Sequence, residues 1–213
     1  MKNYGIPVAA EGWPFIIPLA IVTVLFFALG WKGAGVFALA LALFVLFFFR
    51  DPERTTPPGD NVVVSPADGR VIVVKDVYEP RFLKQDAKQV SIFMSVFNVH
   101  VNRVPLSGTV ETTRYNPGKF LVASVDKASL ENEQMAMVIA KGTTKVLVNQ
   151  IAGLIARRVV CYAKPGDTVR KGERFGLIRF GSRLDIFLPK NAEVKVAVGE
   201  RVSAGRDVIG VLP

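Results

Sequence analysis

The residue pair Gly181-Ser182 is a place where this chain could cut itself. It is the only Gly-Ser pair in the sequence, and it lies between two apolar, strand-like runs, RFGLIRF and LDIFLP. A serine hydroxyl that attacks the carbonyl of the preceding residue forms an ester, which eliminates to dehydroalanine and then hydrolyses to a pyruvoyl group. Glycine at the attacked position removes side-chain bulk and permits strained backbone angles. Taken alone, the pair is weak evidence, because a serine after a glycine usually belongs to a plain turn.

Self-cleavage also needs a base for the hydroxyl and donors for the developing oxyanion. His100 is the only histidine of the chain, so any imidazole chemistry must use it. Asp68 is the candidate to orient it, because a buried carboxylate fixes the imidazole tautomer and favours its protonated form. Each residue has a second interpretation. His100 lies in an alternating segment and would be a polar residue on a strand face, and Asp68 belongs to an Asp-Gly pair typical of hairpin turns.

Three segments taken together resemble the phosphatidylserine decarboxylase family in its short bacterial and archaeal form. They are SPADGRV (65–71), HVNRVPLSG (100–108) and FGSRLDIFLP (180–189), and FFFRDPERTTP (47–57) extends the resemblance over nearly the whole chain. The resemblance implies that Ser182 is the precursor of a covalent pyruvoyl cofactor and that the chain is cut between Gly181 and Ser182. It also implies that Asp68 and His100 complete the processing triad.

The same resemblance implies the reaction. The amine of phosphatidylserine would form a Schiff base with the pyruvoyl carbonyl, which accepts the electrons released as carbon dioxide leaves. Hydrolysis would then release phosphatidylethanolamine. Neither a metal nor a separate cofactor is implied, and the sequence has no metal-ligand spacing. The mature protein would consist of chains 1–181 and 182–213 that remain associated.

Arg103 marks a departure from the longer members of that family. Those members carry two histidines three residues apart, and here the position three residues after His100 is an arginine. Either His100 serves both processing and decarboxylation, or Arg103 binds the lipid phosphate or carboxylate, for which a bidentate guanidinium is suited. An exposed arginine at a strand end is the other interpretation.

Two apolar runs at the N-terminus, residues 13–31 and 33–49, predict a helical hairpin that anchors the chain in a membrane. The stretch 41–49 (LALFVLFFF) has no polar face to turn to water, which argues against a buried soluble hairpin. A second apolar run directly after the first argues against a cleaved signal peptide. The second run reaches about 26 Å as a helix, short of a hydrocarbon core of about 30 Å, so both a spanning and a re-entrant anchor fit.

The remainder predicts a mainly β domain. Charge and four Pro or Gly residues in segment 50–60 end the apolar run, and ten short β-branched runs separated by turn signals follow from residue 61. We therefore expect an anchor over 1–50, a linker over 51–60 and a catalytic domain over 61–213. Residues 111–145 hold the weakest strand signal and suggest a helical turn or a loop.

A duplicated pattern refines this fold prediction. Residues 166–176 (GDTVRKGERFG) and 199–210 (GERVSAGRDVIG) share the spacing Gly, acid, one residue, Val, two residues, Gly. A weaker echo pairs PADGRV (66–71) with PLSGTV (105–110). These repeats resemble the glycine-turn hairpins of lipoyl-type barrel-sandwich domains, although Gly-acid turns also recur by chance in β proteins. The predicted fold is a barrel-sandwich domain preceded by an apolar helical hairpin.

The net charge and the cysteine content limit the kinds of partner and cofactor that the chain is expected to have. A net charge of +9 beside a predicted anchor favours anionic lipid headgroups, and no nucleic-acid-binding motif accompanies the basic residues. Cys161 is the only cysteine, which excludes an internal disulfide and a cysteine metal cluster. Lys32, Arg50 and Arg54 give no decisive orientation, so placement at the cell membrane with a cytoplasmic catalytic domain rests on the resemblance.

Two other functions fit parts of the pattern. The repeated glycine turns alone would suit a non-enzymatic, membrane-tethered adaptor with a lipoyl-like barrel. The headgroup motifs would equally suit a decarboxylase of a serine-bearing ether lipid, because the lipid tails are not read by them. The sequence leaves open the oligomeric state, including a homo-oligomer, and the acyl-chain preference.

Overall fold

The computed structural model describes residues 7–118, 132–153, 159–179 and 182–213. The chain divides into two compact units, with the boundary between Glu53 and Arg54. The first unit is helical and the second is built from β-strands. Ser182 is described, whereas Gly181, on the other side of the predicted cleavage site, lies outside the described residues.

The N-terminal unit contains two apolar helices, α1 (Trp13–Ala28) and α2 (Lys32–Phe48), after a short 3-10 helix (Ala10–Gly12). A left-handed glycine, Gly30 with φ of 75°, ends α1. The N–H of Trp31 donates to the carbonyl of Phe26 at 2.9 Å, which satisfies one of the helix's last carbonyls and reverses the chain. The predicted helical hairpin is confirmed.

The surface of these helices is apolar. The helical stretch Ala10–Ala28 has 19 residues and a mean hydropathy of 1.8, and only 11% of its span is buried. By length and composition it could cross a membrane, since 19 helical residues extend about 28 Å. The second helix, α2, is apolar but shorter, with 17 residues.

Fourteen strands are described in the second unit. They are β1 (Val62–Val64), β2 (Gly69–Glu79), β3 (Gln85–Met94), β4 (Val101–Arg103), β5 (Gly108–Asn116), β6 (Gln134–Lys141), β7 (Thr144–Ala152), β8 (Val159–Cys161), β9 (Thr168–Val169), β10 (Arg174–Ile178), β11 (Ser182–Pro189), β12 (Glu193–Val194), β13 (Arg201–Val202) and β14 (Val208–Val211). An eight-stranded antiparallel sheet has the order β13-β2-β3-β11-β7-β6-β5-β9. Two three-stranded sheets have the orders β1-β14-β12 and β4-β10-β8. The prediction of a mainly β domain is confirmed.

The strands of the eight-stranded sheet follow an equivalent order from each of its two edges, because the unit consists of two similar halves. Strands β13, β2, β3 and β11 of one half match β9, β5, β6 and β7 of the other. The match extends to hydrogen bonds: Gly199 donates to the carbonyl of Val71, and Gly166 donates to that of Val110, both at 2.8 Å. All four of the glycines at the repeated turns have positive φ, as this geometry requires (Gly166, Gly172, Gly199 and Gly205). The predicted duplication is confirmed.

The two halves also exchange hydrogen bonds with each other. The N–H of Val64 donates to the carbonyl of Pro105 at 3.0 Å, and the N–H of Arg103 donates to that of Pro66 at 2.9 Å. These two bonds are equivalent in the duplicated fold. The similar segments 66–71 and 105–110 therefore join the two halves, which are related by a pseudo-twofold axis. The turn that carries Asp68 is thereby held beside the strand that follows His100.

Alternating Val, Ile and Leu side chains form the core between the sheets. On β11 the residues Leu184, Ile186 and Leu188 are fully buried in it, in register with Ile92 and Val90 of the neighbouring strand. Burying each such side chain contributes about 1.5–3 kcal/mol relative to leaving it exposed. β11 therefore belongs to the centre of the fold.

Strand β6 corrects the expectation for residues 111–145. Segment 134–141 is a full strand between β5 and β7, and Met137 and Ile139 are completely buried. Its Ala, Met and Gln residues have weak intrinsic strand preference, and pairing on both edges overrides that preference. The remainder of the weak segment, 119–131, lies outside the described residues.

Candidate active site

Ser182 is the first residue of β11 and is fully buried. It pairs with Met94 at the end of β3 on one side and with Ala152 at the end of β7 on the other. Its hydroxyl donates to the sulfur of Met94 at 3.4 Å. A thioether is a weak acceptor, so this contact costs little to break when the hydroxyl gives its proton to a base.

The duplication shows what is special about this position. In the other half, the residues equivalent to Met94 and Ser182 are Lys141 and Thr144, and a two-residue turn containing Gly142 joins them directly. At the site no such turn exists, because the chain leaves β3 at Met94 and enters β11 at Ser182.

The strand that Ser182 begins is firmly held. β11 pairs with β3 through eight residues and with β7 through six residues. A cut before Ser182 would leave all of these pairs in place. The C-terminal segment 182–213 also supplies β14, which pairs with β1. We therefore expect the two fragments of a cut chain to remain one folded unit.

His100 lies directly before β4 and is almost completely buried, with 2% of its surface exposed. Its backbone carbonyl accepts a hydrogen bond from the N–H of Ile178 at 3.4 Å, which fixes it beside β10, four residues before Ser182. The imidazole Nδ1 lies 2.9 Å from the carbonyl of Asn98. A proton on Nδ1 donates to that carbonyl and places the lone pair of the ring on Nε2, the form in which histidine accepts a proton.

A buried polar cluster connects the His100 strand with Ser182. Asn102, two residues after His100, has no exposed surface, and its side-chain amide donates to the sulfur of Met94 at 3.8 Å. That sulfur is the one that the Ser182 hydroxyl contacts. The side-chain amide of Gln150 on β7 donates to Asn102 Oδ1 at 2.8 Å. These contacts order the surroundings of Ser182 from three strands, β3, β4 and β7.

Asp68 stands in the turn before β2 and is 9% exposed. Its Oδ2 accepts from Arg54 Nη2 at 2.9 Å, and its Oδ1 accepts from the N–H of Ala204 at 2.7 Å. Together the two donors fix the orientation of the Asp68 carboxyl group. These are its contacts in the described part of the chain, so the role of Asp68 toward His100 stays a prediction.

Arg103, at the end of β4, is 5% exposed, so the interpretation as an exposed arginine is wrong. Its Nη1 donates to the carbonyl of Gly172 at 2.9 Å. Its side chain also packs on Gly205, where an added Cβ would come within 2.7 Å of Arg103 Cδ. Since Gly205 follows Ala204, the partner of Asp68, Arg103 and Asp68 lie on the same side of the unit. Its predicted binding of a lipid oxyanion stays a prediction.

Cys161 is a further nucleophilic side chain near these strands, since it pairs with Gly176 of β10. Burial raises the pKa of its thiol, the nearby Asp167 raises it further, and a hydrogen bond with the Ala163 carbonyl group lowers it in part. The thiol therefore stays protonated near neutral pH and is a poor competitor to Ser182.

Several residues of this site do not stand out in the sequence. Asn102 and Arg54 lie in the quoted segments 100–108 and 47–57 without an assigned role in the site, and Met94 and Gln150 belong to none of the quoted motifs. Asn102 and Gln150 are amides in strand segments that also contain Val and Ile residues, and a buried amide needs a hydrogen-bond partner. Met94 gives no such indication, because its contact with Ser182 depends on pairing across 88 residues of sequence.

Comparisons with known proteins point to one family. The family model described as phosphatidylserine decarboxylase matches residues 41–210. The chain is 51% identical to the phosphatidylserine decarboxylase proenzyme of Geotalea uraniireducens and 52% identical to that of Geobacter sulfurreducens, in both cases over 100% of each chain. It is 50% identical to that of Ralstonia nicotianae over 96% of this chain and 95% of the relative.

Proposed function

The chain belongs to the phosphatidylserine decarboxylase family, and from this premise we propose that it converts phosphatidylserine to phosphatidylethanolamine and carbon dioxide in phospholipid biosynthesis. The observation that carries the proposal is the position of Ser182. It lies in the segment that resembles the family's processing site, is fully buried, and begins a central strand where the matching half of the fold has a closed turn.

We propose that the chain first processes itself. The Ser182 hydroxyl attacks the Gly181 carbonyl, and the peptide bond is replaced by an ester with a free amine at residue 182. Elimination releases the carboxylate of Gly181 and leaves dehydroalanine. One water then hydrolyses its imine tautomer, so that ammonia departs and a pyruvoyl group remains. The proposed products are a β chain of residues 1–181 and an α chain of residues 182–213.

Ser182 fits this group because it is the terminal residue of β11. Conversion removes its amide nitrogen and its hydroxyl, and the pairing of the following residues with β3 and β7 is untouched. The pyruvoyl group supplies a carbonyl that accepts the electrons released on decarboxylation. Ser182 is fully buried, and the contacts of Met94 with Ser182 and Asn102 order its surroundings.

We propose His100 as the base that takes the proton of the Ser182 hydroxyl. The Asn98 carbonyl favours a proton on Nδ1, which leaves Nε2 for this role. Asp68 is the proposed third member of the triad, and its ion pair with Arg54 and its bond from Ala204 fix its orientation. Arg103 is the proposed contact of the substrate phosphate or carboxylate, for which a guanidinium is well suited.

The proposed activity is tested by carbon dioxide release from carboxyl-labelled phosphatidylserine. We expect the purified full-length chain in detergent micelles to release labelled carbon dioxide and to form phosphatidylethanolamine in equal amount. A diether lipid with the same serine headgroup, measured alongside, tests how far the tails matter. Failure of both lipids to react with fully processed protein would contradict the proposed activity.

We further propose that the chain resides in the cell membrane through the helices of residues 13–48, with the β unit on the cytoplasmic side. Exposed apolar side chains cover both helices, among them Ile21, Val24 and Phe37. Leaving them in water is unfavourable by about 25 cal/mol per Å². We expect the full-length protein to sediment with membranes and to remain there in high salt, because the attachment is apolar. Monodisperse full-length protein in buffer without detergent would contradict the anchor.

A further inference from the structure

Two buried amide side chains, Asn102 on β4 and Gln150 on β7, form a hydrogen-bonded pair near Ser182. Asn102 has no exposed surface, and Gln150 is 1% exposed. The amide nitrogen of Gln150 donates to Asn102 Oδ1 at 2.8 Å and to the carbonyl of Val160 at 3.3 Å. Because these two acceptors fix the Gln150 amide, Asn102 is held with its oxygen toward β7 and its NH₂ group directed away from it.

The duplicated fold shows which residue occupies the position of Asn102 in the other half. On β10, Gly176 pairs with Asn102. On β14, which matches β10, Gly210 pairs with Val63. Val63 therefore matches Asn102, and it is fully buried in the apolar core.

Leu188 matches Gln150 in the same way. A Cβ added to Gly176 would lie 3.1 Å from Gln150 Nε2, and a Cβ added to Gly210 would lie 2.9 Å from Leu188 Cδ1. An amide in one half and an apolar side chain in the other thus make the same close approach to a glycine. A valine and a leucine satisfy this arrangement, so the fold itself does not require two amides.

The amides also lack good hydrogen-bond partners for two of their polar atoms. Oε1 of Gln150 is buried and has no partner among the described residues. Nδ2 of Asn102 contacts the sulfur of Met94 at 3.8 Å, and a thioether is a weak acceptor. Buried polar groups that are incompletely hydrogen-bonded lower stability. Since the matching apolar pair avoids this cost, the amides point to a role in the chemistry at Ser182.

The Asn102 amide and the Ser182 hydroxyl converge on one atom. Both contact Sδ of Met94, the amide at 3.8 Å and the hydroxyl at 3.4 Å. When the hydroxyl attacks the preceding carbonyl, its proton passes to the base, a C–O bond forms at Ser182 Oγ, and the carbonyl oxygen becomes an oxyanion. That oxyanion is bonded to the carbon that Oγ attacks, so it forms close to the NH₂ group of Asn102. Both groups belong to the same chain, so the complete burial of Asn102 is no obstacle to this contact.

We propose that Asn102 Nδ2 donates a hydrogen bond to this oxyanion and that Gln150 is the positioning residue that holds the amide in the required orientation. This role rests on the proposed self-cleavage at Ser182 and supplies the donor that the reaction needs. A donor that is already oriented stabilises the developing charge without rearranging during the reaction. The sulfur of Met94 is the weak acceptor that the amide leaves when the oxyanion forms.

The test exchanges the amide pair for the apolar pair of the other half. Cleavage of the full-length double variant Asn102→Val/Gln150→Leu is followed on gels after synthesis, beside that of the unmodified chain. We expect cleavage to be slower by about 10²–10³-fold, the usual effect of removing one oxyanion donor. In a Ser182→Ala background, where no chain is cut, the same exchange should leave the unfolding temperature unchanged or raise it, because the apolar pair needs no hydrogen bonds. A folded double variant that is cut as fast as the unmodified chain would overturn the assignment.

Two single variants separate the donor from packing. Val63→Ala is the matched control, because it creates a cavity at the equivalent position of the other half. It should lower the unfolding temperature and leave the cleavage rate unchanged. Asn102→Asp keeps the size of the side chain and the acceptor for Gln150, and it exchanges the NH₂ donor for a second oxygen. It should slow cleavage by at least about 10²-fold, and normal cleavage of this variant would also overturn the assignment.

The pH dependence of cleavage separates an oxyanion donor from an effect on the base. A carboxamide does not titrate near neutral pH, so the double variant should be slower by the same factor at every pH and keep the midpoint of the unmodified chain. A shifted midpoint would mean that the amides act through His100 and would overturn the donor role. An unmodified chain that is never cut would instead contradict the proposed self-cleavage, and that outcome differs from a cut chain whose variants are cut equally fast.

Discussion

Ser182→Ala protein is expected to remain a single uncut chain of 213 residues with no measurable decarboxylase activity. The substitution removes the only atom proposed to attack the Gly181 carbonyl, and without cleavage no pyruvoyl group forms. We expect the activity to fall by at least about 10⁴-fold, as for other nucleophile deletions. The fold should persist, because alanine keeps every backbone pair of β11 and loses only a weak contact with Met94. Gel electrophoresis measures the cleavage, and carbon dioxide release measures the turnover.

Two further variants sharpen this expectation. Thr144→Ala is the matched control, since Thr144 occupies the position equivalent to Ser182 in the other half of the fold. It should be cut and active like the unmodified chain. Ser182→Cys should be processed slowly, because a thiol can also attack and eliminate. Decarboxylase activity retained by Ser182→Ala would show that the reactive group originates elsewhere.

His100→Ala is expected to slow self-cleavage by about 10²–10⁴-fold, the usual contribution of a positioned general base. The chain has one histidine, so no second imidazole can replace it. Asp68→Asn should slow cleavage less, because it removes a charge proposed to support the imidazolium while its bond from Ala204 can persist. Cleavage is followed on gels over time after synthesis of each variant.

Turnover must be measured separately from processing. If His100 also moves protons during decarboxylation, processed enzyme whose imidazole is then chemically blocked should lose activity without losing its cut. Retained turnover after the block would confine His100 to maturation. Cleavage of His100→Ala at the rate of the unmodified chain would contradict the proposed base.

The sequence predicted the parts of this protein that local patterns determine. The apolar runs form helices that end at Ala28 and Phe48, and the repeated glycine turns lie in the matching halves of the β unit. Strand β6 was missed because its residues have weak strand preference and gain their order from two neighbouring strands. The register that places Met94 beside Ser182 could not be predicted, since it depends on packing between distant segments.

The residues of the candidate site likewise include some that sequence motifs identify and others that only the folded arrangement brings together. Ser182, His100 and Asp68 were identifiable because each belongs to a segment that resembles the family. The ion pair between Arg54 and Asp68 was not, because Arg54 was assigned to a linker and its partner is set by the folded position of that segment. Arg183 and Asp185 belong to a quoted motif, yet only the three-dimensional arrangement shows that they form a buried ion pair.

The most direct test of the central claim is an intact mass spectrum of the purified protein. We predict two chains and no remaining uncut chain of 213 residues. The larger should match residues 1–181 with a free carboxylate at Gly181. The smaller should match residues 182–213 but be lighter by one ammonia than a fragment made by simple hydrolysis, and it should carry a carbonyl that reacts with hydrazine reagents. A single uncut chain with full decarboxylase activity would contradict the account.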